Sequence, residues 1–163
     1  MSAESIDNYL RSAKRLAGVA SWREGNGHED YRLKWAVTIE SENHGDLTIT
    51  WFPNSPTERF KIVLALPPAV WRIDYDKNDR HPNPLHNVTG LPTGFVLGSH
   101  YHAWEDNRHL MKGNAPPPRL HFARPLPLGI AGLDQCLRWF CQQVNISLDG
   151  TTVPPLPSAD RLL

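Results

Sequence analysis

Leu33-Lys34-Trp35-Ala36-Val37-Thr38-Ile39-Glu40, then Asn43-His44-Gly45-Asp46, then Leu47-Thr48-Ile49-Thr50-Trp51 is the stretch that decides the fold. Leu33, Trp35, Val37 and Ile39 fall on one side of an extended chain and Lys34, Ala36, Thr38 and Glu40 on the other. That period of two belongs to a half-buried strand. The Asn-His-Gly-Asp segment is a hairpin-type turn, after which Leu47, Ile49 and Trp51 resume the alternation. An antiparallel sheet starts here.

Towards the C-terminus the pattern repeats. Phe60, Ile62, Leu64 and Leu66 mark a third strand that stops at Pro67-Pro68. A fourth spans about Ala69 to Asp76, with Trp71, Ile73 and Tyr75 on one face and Val70, Arg72, Asp74 and Asp76 on the other. Lys77 to Pro84 reads as an irregular, proline-shaped loop. A fifth strand is expected from Phe95 to Ala103, with Val96, Gly98, His100, His102 and Trp104 sharing a face. If strands four and five pair, Arg72, Asp74, Asp76, His100 and His102 lie on one surface.

Helical spacing flanks the strands. Ile6, Tyr9, Leu10, Ala13, Leu16 and Ala17 predict a helix over residues 4–18. Residues 23–30 read as a polar loop. Leu133, Cys136, Leu137, Phe140, Cys141 and Val144 predict a second helix ending near Asn145. The expected class is therefore α+β: a mainly antiparallel sheet of about five strands with an N-terminal and a C-terminal helix packed on one face. Residues 1–163 form a single domain, of which 149–163 are a proline-rich C-terminal tail.

Composition narrows the function. Seventeen basic and seventeen acidic residues balance in a chain of 163, so no whole-molecule field draws in nucleic acid or an anionic membrane. The segment 107–128 departs from that balance, carrying Arg108, Lys112, Arg119 and Arg124 and no acid. No apolar run is long enough to span a bilayer, and Met1 to Ser5 lack a signal core; a cytoplasmic protein without membrane contact is expected. Cys136 and Cys141 stand about 140° apart around one helix and cannot pair there. They read as buried thiols.

The chemistry concentrates in Gly98-Ser99-His100-Tyr101-His102-Ala103-Trp104-Glu105-Asp106-Asn107-Arg108-His109. On a strand His100 and His102 point the same way. His28, His44 and His86 lie in polar turns and read as ordinary surface histidines.

Arg72-x-Asp74, His81-x-Asn83-Pro84 and Gly98-x-His100-x-His102-x-Trp104-Glu105, followed by the helix ending in Val144-Asn145-Ile146, resemble a family of small bacterial and phage-encoded proteins, a domain of unknown function. The resemblance covers roughly residues 60–157, with Trp104 where tyrosine is usual. It carries no activity. It implies that Arg72, Asp74, His81, Asn83, His100, His102 and Glu105 form one constellation.

Three functions fit these residues. The first is acid–base chemistry on an RNA phosphodiester, with His81, His100 and His102 as acid–base groups, Asp74 orienting an imidazole and Arg72 stabilising charge. Trp104 would stack on a base, Arg108 would hold phosphate and Asn83 would line the substrate or hold its own loop. This reading needs no cofactor. The second is a divalent metal on His100, His102 and Asp106, the start of a facial triad. The third is a non-catalytic surface that binds a host or defence protein, with Trp104 and Arg108 in the recognition loop.

Overall fold

The computed structural model describes residues 1–25 and 29–158. His28 and residues 159–163 of the expected tail lie outside them. The architecture is α+β, with a largely antiparallel sheet. The hairpin of β3 (Tyr31–Ile39) and β4 (Glu42–Trp51) is its centre. The expected alternation holds there: Leu33, Trp35, Val37, Leu47 and Ile49 are all buried. β5 (Phe60–Ala65) and β6 (Ala69–Tyr75) continue the meander on one side.

The sheet is wider than the five strands expected. Its nine strands include β1 (Lys14–Ala17), β2 (Arg23–Glu24), β9 (His100–His102), β10 (Arg124–Pro125) and β11 (Ile146–Ser147), in the order β10-β9-β6-β5-β4-β3-β1-β11 with β2 on β3. Strands of two to four residues are too short to show a period. Their pairing partners, distant in the chain, define them.

Three expectations are corrected. The β3–β4 turn falls at Glu40-Ser41, both with positive φ, and Asn43-His44-Gly45-Asp46 lie inside β4. The N-terminal helix α1 covers only Ala3–Arg11, because Lys14 to Ala17 pair with both β3 and β11. Lys14 itself turns back to close the helix, its Nζ donating to the carbonyls of Tyr9, Leu10 and Ser12 at 2.6, 3.2 and 2.7 Å. The single strand expected from Phe95 to Ala103 is broken at Gly98, whose φ of +79° is the left-handed region glycine adopts readily. Before the break, β8 (Phe95–Leu97) pairs with β7 (Arg80–Pro82) in a separate two-stranded ribbon. After it, β9 pairs with β6.

Helix α2 (Trp104–Asn107) follows β9 directly, and α3 is Gly132–Gln143. Leu133, Cys136, Leu137, Phe140 and Cys141 of α3 and Ile6, Tyr9 and Leu10 of α1 join the strand residues in one hydrophobic cluster. Trp71 meets Phe140 edge-on at 5.6 Å and stacks on Tyr101 at 5.2 Å between centroids. The Trp71 side of β6 therefore looks into the core, and the Arg72 side looks away from it. No helix among the described residues is long and apolar enough to cross a membrane.

Candidate functional site

Pairing of β6 with β9 sets Arg72 opposite His102 and Asp74 opposite His100. Residues two apart on a strand share a face, so the four side chains form a square on the side away from the core. The β7–β8 ribbon covers this square. In it His81 pairs with the buried Val96, and the His81 ring comes to 4.6 Å from that of His102 and 5.3 Å from that of His100. One ring nitrogen from each of the three lies within 4.8 Å of the other two. His100 and His102 are fully buried; His81 is half-buried at the edge.

Hydrogen bonds assign two of the tautomers. A carbonyl only accepts, so His81 donates from Nε2 to the His121 carbonyl at 2.7 Å and keeps its lone pair on Nδ1. His100 donates from Nδ1 to the Gly98 carbonyl at 2.9 Å, which turns Nε2 towards Asp74 Oδ2 at 3.4 Å. His102 Nε2 stands between Asp74 Oδ2 at 3.4 Å and Arg72 Nη2 at 2.9 Å. Its other nitrogen, Nδ1, is buried and has no hydrogen-bond partner.

The charges are unevenly shared. Burial disfavours a charged Asp74, but hydrogen bonds from His100 and His102 and the adjacent Arg72 hold its carboxyl well below the usual range. Burial, reinforced by Arg72, pushes His102 down to about 4. Burial lowers His81 too, helped by the neighbouring charges of His100 and Arg72. For His100 burial is outweighed by the bond to Asp74, the Gly98 carbonyl and the charges of Asp74 and Asp79, so it is raised.

The remaining candidates lie elsewhere. Trp104 opens α2 instead of extending the histidine face; it is 1% exposed and donates from Nε1 to Asp7 Oδ1 at 2.8 Å, which leaves no ring face for a base. Arg108 is held by Asp7 at 3.0 Å and reaches Glu4 at 3.5 Å. Asp106 takes a two-point bond from Arg124, at 2.7 and 2.8 Å, and is not in the group that converges; His81 stands in its place. Glu105 accepts from Trp71 Nε1 on the core side. Much of the basic charge of 107–128 is thus matched by acids from other parts of the chain.

Asn83 is a clamp. Buried, it donates to the carbonyls of Pro92 and Ala123 and accepts from Ala123 N, at 2.8–3.0 Å. Asn107, which the sequence did not single out, does the same one residue earlier, exchanging bonds with Phe122 N and O. The two amides act like a neighbouring strand for Phe122-Ala123 and so fix the His121 carbonyl on His81. Backbone acceptors such as His121 and Gly98 leave no signal in a sequence. Asp79, 4.0 Å from His100, was also missed because its loop gave no period. No family model, curated protein or solved structure matches the chain.

Proposed function

We propose that the chain holds one divalent metal ion on His81, His100 and His102 and is a hydrolytic enzyme for an anionic substrate. The observation that carries this reading is the convergence of three imidazole nitrogens within 4.8 Å of one another at a buried position. Three histidines with a fourth position left over are the ligand set of catalytic zinc sites. Ligating histidines characteristically give their second nitrogen to a carbonyl or carboxylate, as His81 does to His121 and His100 to Gly98. For His102 the matching arrangement is Nε2–H on Asp74 and the orphan Nδ1 as ligand. Burial also favours an ion. His102 is 0% exposed, out of reach of a nucleotide, and His81 stands half-buried at the edge of the group.

A metal in such a site supplies Lewis acidity and a bound water with a pKa near neutrality. The chain supplies the rest: Asp74 orients His102, and Arg72, whose side chain is 31% exposed, receives the substrate's negative charge.

A metal-free phosphodiesterase, using His81 as the accessible acid–base group, is the second reading. It is favoured by Arg72 Nη2 at 2.9 Å from His102 Nε2, since a guanidinium suits an anion. Elemental analysis of the purified protein and melting with Zn2+, Mn2+ and a chelator separate the two. Stoichiometric metal that is lost in His81→Ala supports the metal reading. Wild type that purifies without metal and gives no shift with either ion ends it.

A further inference from the structure

Arg108, Lys112, Arg119 and Arg124 carry the basic charge between residues 107 and 128. Two of them are answered, Arg108 by Asp7 and Glu4 and Arg124 by Asp106. Lys112 and Arg119 are exposed, and neither has an ion-pair partner among the described residues. The positive charge left over in this segment therefore sits at these two side chains.

Lys112 stands at an apolar cavity of about 440 Å3, lined otherwise by Leu110, Ala115, the run Pro116 to Pro118 and His121. Lys112 supplies its one permanent charge, and no carboxylate lines it. That size, and walls of hydrocarbon with one or two polar groups, are those of a small-molecule site. The walls are built before any ligand arrives. Lys112 N donates to the Ala115 carbonyl at 3.1 Å and Ala115 N donates back to the Lys112 carbonyl at 3.0 Å, across a turn in which Gly113 has a φ of +61°. Three successive prolines have φ fixed by their rings. Pro117 is buried, and behind it Leu120 and Phe122 lie in the interior, Phe122 held by the Asn107 amide. A cavity fixed in this way loses little conformational freedom when it is filled.

We infer that this cavity binds a small aromatic anion, a ring that carries a carboxylate or a phosphate group. The hydrocarbon faces of successive prolines are surfaces on which aromatic rings pack, the contact that proline-rich peptides make with aromatic grooves, with the roles exchanged. Lys112, which the fold leaves without a carboxylate, selects the anionic group. An anion without a ring gains nothing from the proline wall, and a neutral ring leaves Lys112 unused. His121 belongs to this cavity through its side chain and to the histidine group through its carbonyl on His81. The ligand therefore lies beside the half-buried edge of the proposed metal site, but its binding needs neither metal nor catalysis.

The test is titration calorimetry in chelator with naphthoate, naphthyl phosphate and the neutral naphthamide, and with acetate and inorganic phosphate as anions that lack a ring. Both aryl anions are expected to bind at millimolar concentration or below, and acetate and phosphate not to bind. Naphthamide should be weaker by about fivefold, the upper end of what one exposed ion pair contributes. The tighter of the two aryl anions identifies the head group. In Lys112→Met, a change at an exposed side chain, the aryl anions should fall to the level of naphthamide while naphthamide itself is unchanged. Ala115→Trp, at an exposed position of the rim, should fill the cavity and abolish binding of all three. Failure of every aryl ligand to bind overturns the site. So does naphthamide that matches the anions on the wild type, or binding that neither variant alters. Failure of the metal reading shows in elemental analysis and leaves these titrations unchanged.

Discussion

Arg72 and His102 are cross-strand partners, and the guanidinium Nη2 of one stands 2.9 Å from the imidazole Nε2 of the other. Arginine has no lone pair to offer. If His102 accepts this bond at Nε2, its proton is on Nδ1, which is buried without an acceptor. If the proton is on Nε2, it faces Asp74 at 3.4 Å with a competing donor beside it. Either tautomer leaves one buried polar group unmet, at a cost of about 1–3 kcal/mol. Buried polar groups without a partner are rare, and an ion on Nδ1 would satisfy this one.

Arg72→Gln follows from this geometry. It removes a positive charge next to the proposed cation and keeps an amide donor at about the position of Arg72 Nε, two bonds short of the Nη2 that meets His102. Metal affinity, measured by isothermal titration, is expected to hold or tighten. Hydrolysis of an anionic ester is expected to fall tenfold or more through loss of the anion's partner. A variant that loses metal and keeps activity contradicts the division of labour.

The pH dependence of the metal-free protein carries a sign. His102 is pushed down to about 4 in the fold by burial and Arg72, and an unfolded histidine titrates near 6.5. Between those values the unfolded chain binds the proton and the native chain does not. Stability due to His102 is complete above about 6.5 and is lost as the pH falls towards 4. Urea unfolding in chelator should therefore show a loss of about 3 kcal/mol over that window. His100 is raised in the fold by its bond to Asp74, so its own contribution runs the other way: it is complete below the unfolded value near 6.5 and is lost as the pH rises above it. In His102→Asn the slope should shrink, and what remains is the contribution of His81, which burial lowers too.

The central meander was legible because each strand is long enough to alternate; the β3–β4 turn was misplaced because Glu40-Ser41 carry no turn signal, whereas the Asn43 to Asp46 signal lies within β4. Arg72, Asp74, His100 and His102 could be placed together from strand phase alone, once β6 and β9 were taken as neighbours. His81 could not. It enters from a three-residue strand in what reads as a proline loop, held there by β8 and by a carbonyl forty residues away. Trp104 and Asp106 were misread for one reason: α2 starts directly after β9, so the period of two ends at Ala103. The broken strand at Gly98 was marked by its glycine, yet a glycine alone does not say where the chain goes next.

Lys14 tests how α1 joins the sheet. Its ammonium is 2% exposed, gives three bonds to carbonyls at the helix C-terminus and lies 4.8 Å from the Tyr9 ring. Methionine at this position fills a similar volume and donates nothing. Lys14→Met should cost about 2–4 kcal/mol in unfolding free energy, from carbonyls left without a donor. Metal binding should be unaffected, since Lys14 lies on β1, near the opposite edge of the sheet from β9.

Asn83 and Asn107 are expected to act on the site without touching it. Each makes three side-chain hydrogen bonds in the interior, and together they hold Phe122-Ala123 in extended register. The residue just before that pair, His121, supplies the carbonyl that orients His81. Asn83→Ala leaves Ala123 N–H and O without partners at a buried position, so a loss of about 2–4 kcal/mol is expected. Orienting partners of metal ligands are commonly worth 10–100-fold in affinity, and the same variant should weaken metal binding by about that factor. Asn107→Ala should show a similar stability loss with a smaller effect on the metal, because it pins Phe122 and leaves the Asn83 bonds to Ala123 and Pro92 in place. Hydrogen exchange separates local release from global loss. If the Ala123 amide opens in Asn83→Ala while the β3–β4 amides stay protected, the clamp acts where the geometry puts it. If substitution of His81 loosened metal binding and Asn83→Ala left it unchanged, the His121 carbonyl would not be what aims the ring.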